Sequence, residues 1–107
     1  MRIDYEYSFT NGILDIAQVK NNAKRKEILS IDTKEELELI APIMTDEFLR
    51  YQNMNEIKRL NAWLNRDIKK HFALIRKDAR RIMLVFEPSE SMINILKKYN
   101  PQKVKTN

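Results

Sequence analysis

Ile3, Tyr5, Tyr7 and Phe9 alternate with Asp4, Glu6 and Ser8. This period of two, carried largely by aromatic residues, predicts a half-buried first strand. Asn11-Gly12 follows, and this pair is a strong hairpin signal because both central residues of such a turn take positive φ. Residues 13–19 then read as the returning strand. The stretch from Lys20 to Lys26 is polar and basic, with Asn21-Asn22 as turn formers, and residues 27–31 make a third strand. Leu37, Leu39 and Ala41 alternate with Glu36, Glu38 and Ile40 in a fourth strand that Pro42 ends. Four short strands joined by tight turns predict an antiparallel meander over residues 3–41.

The middle of the chain admits two readings. Thr45 can cap a helix, Asp46 and Glu47 suit its first turn, and Met44, Phe48 and Tyr51 share a helical face. That spacing can run on through Met54, Ile57, Leu60, Leu64, Ile68 and Phe72 as one or two long helices over 45–75. The other reading is a short helix over 45–53, a strand near 57–63 and a polar loop at Asn65-Arg66-Asp67. Residues 71–76 and 80–86 flank Lys77-Asp78-Ala79 and read as a hairpin, which shortens the long helix. Pro88 and Ser89 open a closing helix with the apolar stripe Met92, Ile93, Leu96 and Tyr99. Asn100-Pro101 stops it. The domain therefore spans 1–101, with a frayed tail over 102–107.

Up to seven strands and one closing amphipathic helix is the element order of the pleckstrin-homology-like (PH-like) fold. The segments Tyr5-Glu6-Tyr7-Ser8-Phe9, Asn11-Gly12, Leu14-Asp15-Ile16, Lys24-Arg25-Lys26, Leu39-Ile40-Ala41-Pro42 and Leu84-Val85-Phe86-Glu87-Pro88-Ser89-Glu90, with Tyr99-Asn100-Pro101, add to this. Together they resemble a bacterial family of uncharacterised membrane-linked proteins whose soluble part looks like a PH-like domain. The resemblance covers most of residues 3–104 and is weakest over 43–68. It implies an α+β fold: about seven antiparallel strands in a bent sheet or partly open barrel, a short helix near 45–53 and a C-terminal helix as lid. It also implies a location on the cytoplasmic side, as the soluble part of a longer membrane-anchored protein. Family members commonly begin with a hydrophobic hairpin, which the chain as given lacks. The shared motifs are structural, so they speak for fold rather than activity.

Charge sharpens this picture. The 107 residues carry a net charge of +5, unevenly spread. Residues 1–47 hold six basic and ten acidic side chains, whereas 48–107 hold fourteen and five. A basic half can attract nucleic acid, anionic lipid or an acidic protein, and it also serves simply as a solvated surface. No apolar run approaches the roughly 18 residues of a membrane helix, and the start of the chain shows no signal peptide.

Candidate chemistry is sparse. With no Cys, one His and one Gly, the chain offers no thiolate, no metal cluster of usual spacing and no glycine-rich phosphate loop. No enzyme, metal or cofactor is expected. His71 reads as a surface or half-buried strand residue rather than a base. Glu36 and Glu38 read as a solvated strand face backed by Leu37 and Leu39 as core. Tyr5, Tyr7 and Phe9 could stack bases, but core is the better reading. Trp63 can meet a partner or fill the barrel. The one cluster suited to an anionic surface is Lys20, Lys24, Arg25 and Lys26, read as a mobile basic turn that can meet lipid phosphates; an ordinary solubilising hairpin tip is the alternative. The expected role is a non-enzymatic module that binds a protein partner or an anionic membrane surface. A nucleic-acid-binding domain is the second hypothesis.

Overall fold

The computed structural model describes residues 1–106. The elements run β1 (Ile3–Thr10), β2 (Ile13–Lys20), β3 (Lys24–Asp32), β4 (Leu37–Pro42), α1 (Asp46–Gln52), β5 (Ile57–Ala62), β6 (His71–Lys77), β7 (Arg80–Phe86) and α2 (Glu90–Tyr99). The short-helix reading of the middle segment is therefore the observed one. Turn chemistry explains the tight connections: Asn11 and Gly12 have φ of 52° and 85°, and Asp78 and Ala79 have 51° and 68°. Both pairs match the positive-φ turns that suit the twist of a hairpin.

The strands form two sheets, ordered β1-β2-β3 and β4-β6-β7-β5. This corrects the expected four-stranded meander over 3–41. β4 leaves the first sheet and pairs antiparallel with β6, and β5 lies parallel to β7. The physical reason is burial on both faces. Leu37, Ile40, Ala41, Phe72, Ala73, Leu74, Ile75 and Met83 to Phe86 are all buried, so the second sheet needs a cover on each side, as continuous apolar strands do. On its inner face Ile40, Ala73, Ile75, Leu84 and Phe86 join Leu14, Ile16, Leu29 and Ile31 of the first sheet and Ile93 and Leu96 of α2. On its outer face Ala41, Phe72, Leu74, Met83 and Val85 meet Phe48 of α1, with Tyr51 and Met54 around them.

A bulge between Leu37 and Leu39 changes which way β4 points its side chains. Leu37 pairs with Ile75 and joins the inner core, while Leu39 pairs with Leu74 and packs in the outer one. The expected common core face of Leu37 and Leu39 is thus replaced by two cores, because one extra residue reverses the alternation. Glu36 and Glu38 are not simply solvated. Lys77 Nζ lies 3.3 Å from Glu36 and Arg81 Nε lies 3.1 Å from Glu38.

Both helices are capped as their sequences demand. Thr45 Oγ1 accepts from Phe48 N at 3.4 Å, and Ser89 Oγ accepts from Met92 N at 3.1 Å. Tyr5, Tyr7 and Phe9 pack against the inner core, with Tyr7 edge-on to Phe86 and Phe9 edge-on to Tyr99; they are core, not a stacking platform. The expected frayed tail over 102–107 is also corrected. Val104 is 1% exposed and forms a parallel bridge with Ile40. Ile40 N donates to Lys103 O and Lys105 N donates to Ile40 O, both at 2.8 Å. The tail through Lys105 covers the backbone of an edge strand, whose unpaired groups otherwise stand open. Residue 107 lies outside the described residues. No helix among the described residues is long and apolar enough to cross a membrane.

Candidate functional site

The predicted basic cluster sits at the β2–β3 hairpin, but only Lys20 and Lys24 border the turn, as the last residue of β2 and the first of β3. Lys24, Arg25 and Lys26 belong to β3. The turn is Asn21 to Ala23, with Asn21 and Asn22 at φ 53° and 57°. It is tied down: Asn21 N donates to Arg2 O at 2.7 Å, and Arg2 N donates to Asn21 Oδ1 at 3.0 Å. The expected mobile turn is therefore a fixed strand end, because the long β1 and β2 carry the pairing past the apolar residues.

Register divides the four cations. A shift between Ile16 and Ala17 makes Gln18 pair with Lys26, Val19 with Arg25 and Lys20 with Lys24. Directly opposed residues share a face. Lys20, Lys24 and Lys26 therefore lie on one face of the hairpin, in line with Tyr5, which pairs with Gln18. Arg25 lies on the other face, where it forms an ion pair with Glu6. All four cations are exposed. Among the described residues Lys20, Lys24 and Lys26 have no ion pair.

A second constellation lies around residues 63–71 and 87–94. The connection from β5 to β6 has no ladder to satisfy its backbone, so side chains do so. The Glu87 carboxylate accepts from Leu64 N at 3.1 Å, Asn65 N at 3.3 Å and Asn65 Nδ2 at 3.0 Å. Lys70 Nζ donates to Asn65 O and, at 2.6 Å, to Ile68 O. It stands 3.8 Å from Glu87 and 4.5 Å from the centre of the Trp63 ring. The side chains of Lys70 and Glu87 are only 7% and 10% exposed, so each charge is neutralised where water cannot do it. Trp63 is consequently held under Lys70 and against the outer core, not presented to a partner. Tyr7 completes the frame: its hydroxyl donates to Ala62 O and accepts from Glu87 N at 3.2 Å. Burial pushes the Tyr7 hydroxyl up to about 12, which keeps it a neutral donor.

This framed loop forms one wall of a cavity of about 580 Å³. Ile68 and Lys69 line it from the loop, His71 from the start of β6, and Ser89, Glu90 and Ile93 from the first turn of α2. His71 is 7% exposed, and its Nδ1 is buried without a hydrogen-bond partner. Burial first, and the charge of Lys69 second, lower its pKa to about 4. The imidazole is therefore neutral near pH 7. His71 is thus more deeply buried than expected. Lys70, Glu87 and this cavity have no signal in the local sequence, because their parts, from Ile68 to Thr106, lie far apart along the chain and meet only through the fold. Among the described residues no group of three His, Cys, Asp or Glu side chains could hold a metal ion.

The arrangement offers exposed cations, a buried polar frame and an apolar-lined cavity with a neutral imidazole. No curated protein and no solved structure matches the chain. A family model described as a bacterial PH-like domain (DUF6106) matches residues 1–106, in agreement with the seven strands and the closing helix. The chain belongs to this family of bacterial PH-like domains.

Proposed function

We propose that the domain is a non-enzymatic interaction module that meets an anionic bilayer surface through the β2–β3 hairpin, as the membrane-facing part of an anchored protein. The observation that carries this reading is the shared face of Lys20, Lys24 and Lys26, exposed and without ion pairs. Near an anionic bilayer each such charge contributes about 1 kcal/mol. Three of them yield useful affinity when an anchor already holds the domain near the surface.

The alternative, a nucleic-acid interface on the basic C-terminal half, is less favoured by the ion pairs. Lys77, Arg81 and Lys105 are matched by Glu36, Glu38 and Glu47 from the acidic half. Much of the charge asymmetry along the chain is thus compensated across the fold.

Co-sedimentation with acidic liposomes tests the proposal. The triple variant Lys20→Ser, Lys24→Ser, Lys26→Ser should bind about 100-fold more weakly at low salt, since three charges amount to about 3 kcal/mol. Arg25→Ser should have a smaller effect because its charge is already paired. The difference should shrink as salt rises. Equal sedimentation of wild type and triple variant at low salt would refute the membrane reading, and a salt-sensitive shift of a DNA or RNA probe would favour the alternative.

A further inference from the structure

The second sheet ends at β5, and among the described residues no strand pairs with its other side. We infer that this edge takes up an acidic peptide in extended form, whose backbone continues the sheet and whose carboxylates meet the arginines beside it. The edge shares no residue with the lysine face of the β2–β3 hairpin.

The register shows which backbone groups are free. In a parallel pair, alternate residues of a strand turn both their N–H and their C=O to the neighbour. Ala62 pairs with Phe86, so Glu87 N and Ala62 O are the next donor and acceptor of the ladder. The Tyr7 hydroxyl stands between them and bonds to both. At the start of β5, Ile57 N donates to Met54 O rather than to β7. Lys58, Leu60 and Ala62 therefore bond towards β7, while Arg59 and Asn61 direct their N–H and C=O groups outward. Both residues are exposed. A row of this kind is a template for another strand.

The side chains select that strand. Arg59 pairs with Met83 and Ile57 with Arg81, which puts both arginines on the outer face that Met83 and Ile57 share. Their guanidinium groups lie 5.7 Å from the Phe48 ring and 5.4 Å from the Tyr51 ring, and Arg50 lies 5.6 Å from Tyr51. Arg76 directly opposes Arg81 across the β6–β7 hairpin, a like-charge pair that costs stability. Arg81 shares Glu38, but among the described residues Arg50, Arg59 and Arg76 have no ion pair. Guanidinium forks left in this state recruit carboxylates, which they hold with two bonds at once. The charges that keep like edges apart are thus the ones that admit an acidic strand. On an added strand every second residue shares the face of Arg59, so acidic residues fit there. The residues between share the face of Leu60, which is partly buried against the inner core, and apolar side chains extend that contact. A nucleic acid can use the guanidinium groups but not the free N–H and C=O pairs, which favours a peptide.

The test is an amide NMR titration of the full chain with three short blocked peptides and a thymidylate oligonucleotide. One peptide alternates glutamate and valine, one alternates lysine and valine, and one carries the glutamates and valines in separate blocks. The alternating acidic peptide should bind with a Kd of about 100 μM, modest because the peptide is ordered on binding. It should also slow hydrogen exchange at the Arg59 and Asn61 amides at least about tenfold, which charge attraction alone does not do. The other two peptides and the oligonucleotide should bind at least about tenfold more weakly. Arg59→Gln should weaken the acidic peptide about three- to tenfold. Asn61→Pro removes one free N–H and leaves the ladder to β7 intact, so it should weaken binding at least about tenfold; if this variant does not fold, the exchange data and Arg59→Gln decide. Absence of saturable shifts with the alternating acidic peptide overturns the inference, and so does binding without protection of the two amides. Equal binding of the lysine or block peptide overturns the match of charge and alternation, and tighter binding of the oligonucleotide overturns the choice of partner. Protection that rises with the concentration of the chain alone would assign the edge to a second copy and overturn the peptide.

Discussion

Thr33→Val should be among the costliest small changes this fold can suffer. Thr33 is fully buried in the connection between β3 and β4, where it joins three separate chain ends. Its N–H and its hydroxyl both donate to Gly12 O, at 2.9 Å and 2.8 Å. Its Oγ1 accepts from Asn100 Nδ2 at 2.9 Å. The β1–β2 turn, the β3–β4 connection and the C-cap of α2 are thus linked through one hydroxyl. Valine preserves the shape and the backbone bond, so Gly12 O keeps one donor. The Asn100 amide, only 6% exposed, loses its acceptor. A buried donor left without a partner costs about 1–3 kcal/mol, and a lost neutral bond about 1 kcal/mol. The expected total is about 2–4 kcal/mol.

Urea unfolding followed by circular dichroism measures this directly, with the slope m unchanged. In a domain of this size the loss corresponds to a fall in Tm of roughly 10–30 °C. A double-mutant cycle isolates the bond itself. Asn100→Ala removes the partner, so the double variant with Thr33→Val should lose less than the sum of the single losses by at least about 0.5 kcal/mol. A loss in Thr33→Val below about 0.5 kcal/mol would contradict the proposed clamp, and so would strict additivity in the cycle.

Leu96, fully buried between α2 and the sheets, should cost about 2–5 kcal/mol when changed to Ala; a loss below about 1 kcal/mol by denaturant titration would show that α2 is not the lid of the inner core. Gly12→Ala should lower stability by about 1–3 kcal/mol, because φ is +85° and a Cβ would lie 2.8 Å from Tyr99 Cε1; the paired variant Gly12→Ala, Tyr99→Leu should recover part of the loss, and no recovery would mean that backbone strain alone sets it. His71, with a folded pKa of about 4 against 6.5 in the unfolded chain, makes stability depend on acid. The unfolded state binds the extra proton between those values, so stability is full above about pH 6.5 and declines as pH falls towards 4, at no more than ~1.4 kcal/mol per pH unit. Denaturant midpoints of wild type and His71→Gln across that range should converge at low pH, and parallel profiles would show that His71 is not the group responsible.

Strand positions were legible because local rules act within a few residues. Period-two alternation marked β1, and the Asn11-Gly12 pair fixed the first turn by the backbone angles it permits. The partition into two sheets was not legible, since a strand buried on both faces looks the same whichever sheet receives it. The bulge in β4 was hidden for a related reason. Leu37 and Leu39 obey simple alternation as written, and only their partners Ile75 and Leu74 reveal that they enter different cores. Likewise, the polar run Lys24 to Lys26 reads as a turn because neither face of β3 is covered there, although the ladder continues through all three residues.

The candidate sites divide along the same line. The basic hairpin was visible because its charges are adjacent in sequence, but the division of Arg25 from the three lysines depends on register with β2. Nothing near His71 in the sequence foretells an unpaired buried imidazole. Its surroundings come from the loop at Ile68 and Lys69 and from the first turn of α2, and the loop itself depends on Glu87, which follows β7. Glu87 is placed by the end of β7, where Phe86 pairs with His71 on one side and Ala62 on the other. The ladder that buries His71 is therefore the same one that carries Glu87 to the 63–70 loop. Shifting β7 by one residue would reverse its buried faces and would also remove the carboxylate from Leu64 and Asn65. Burial of the core and construction of the cavity wall are thus two consequences of one strand register.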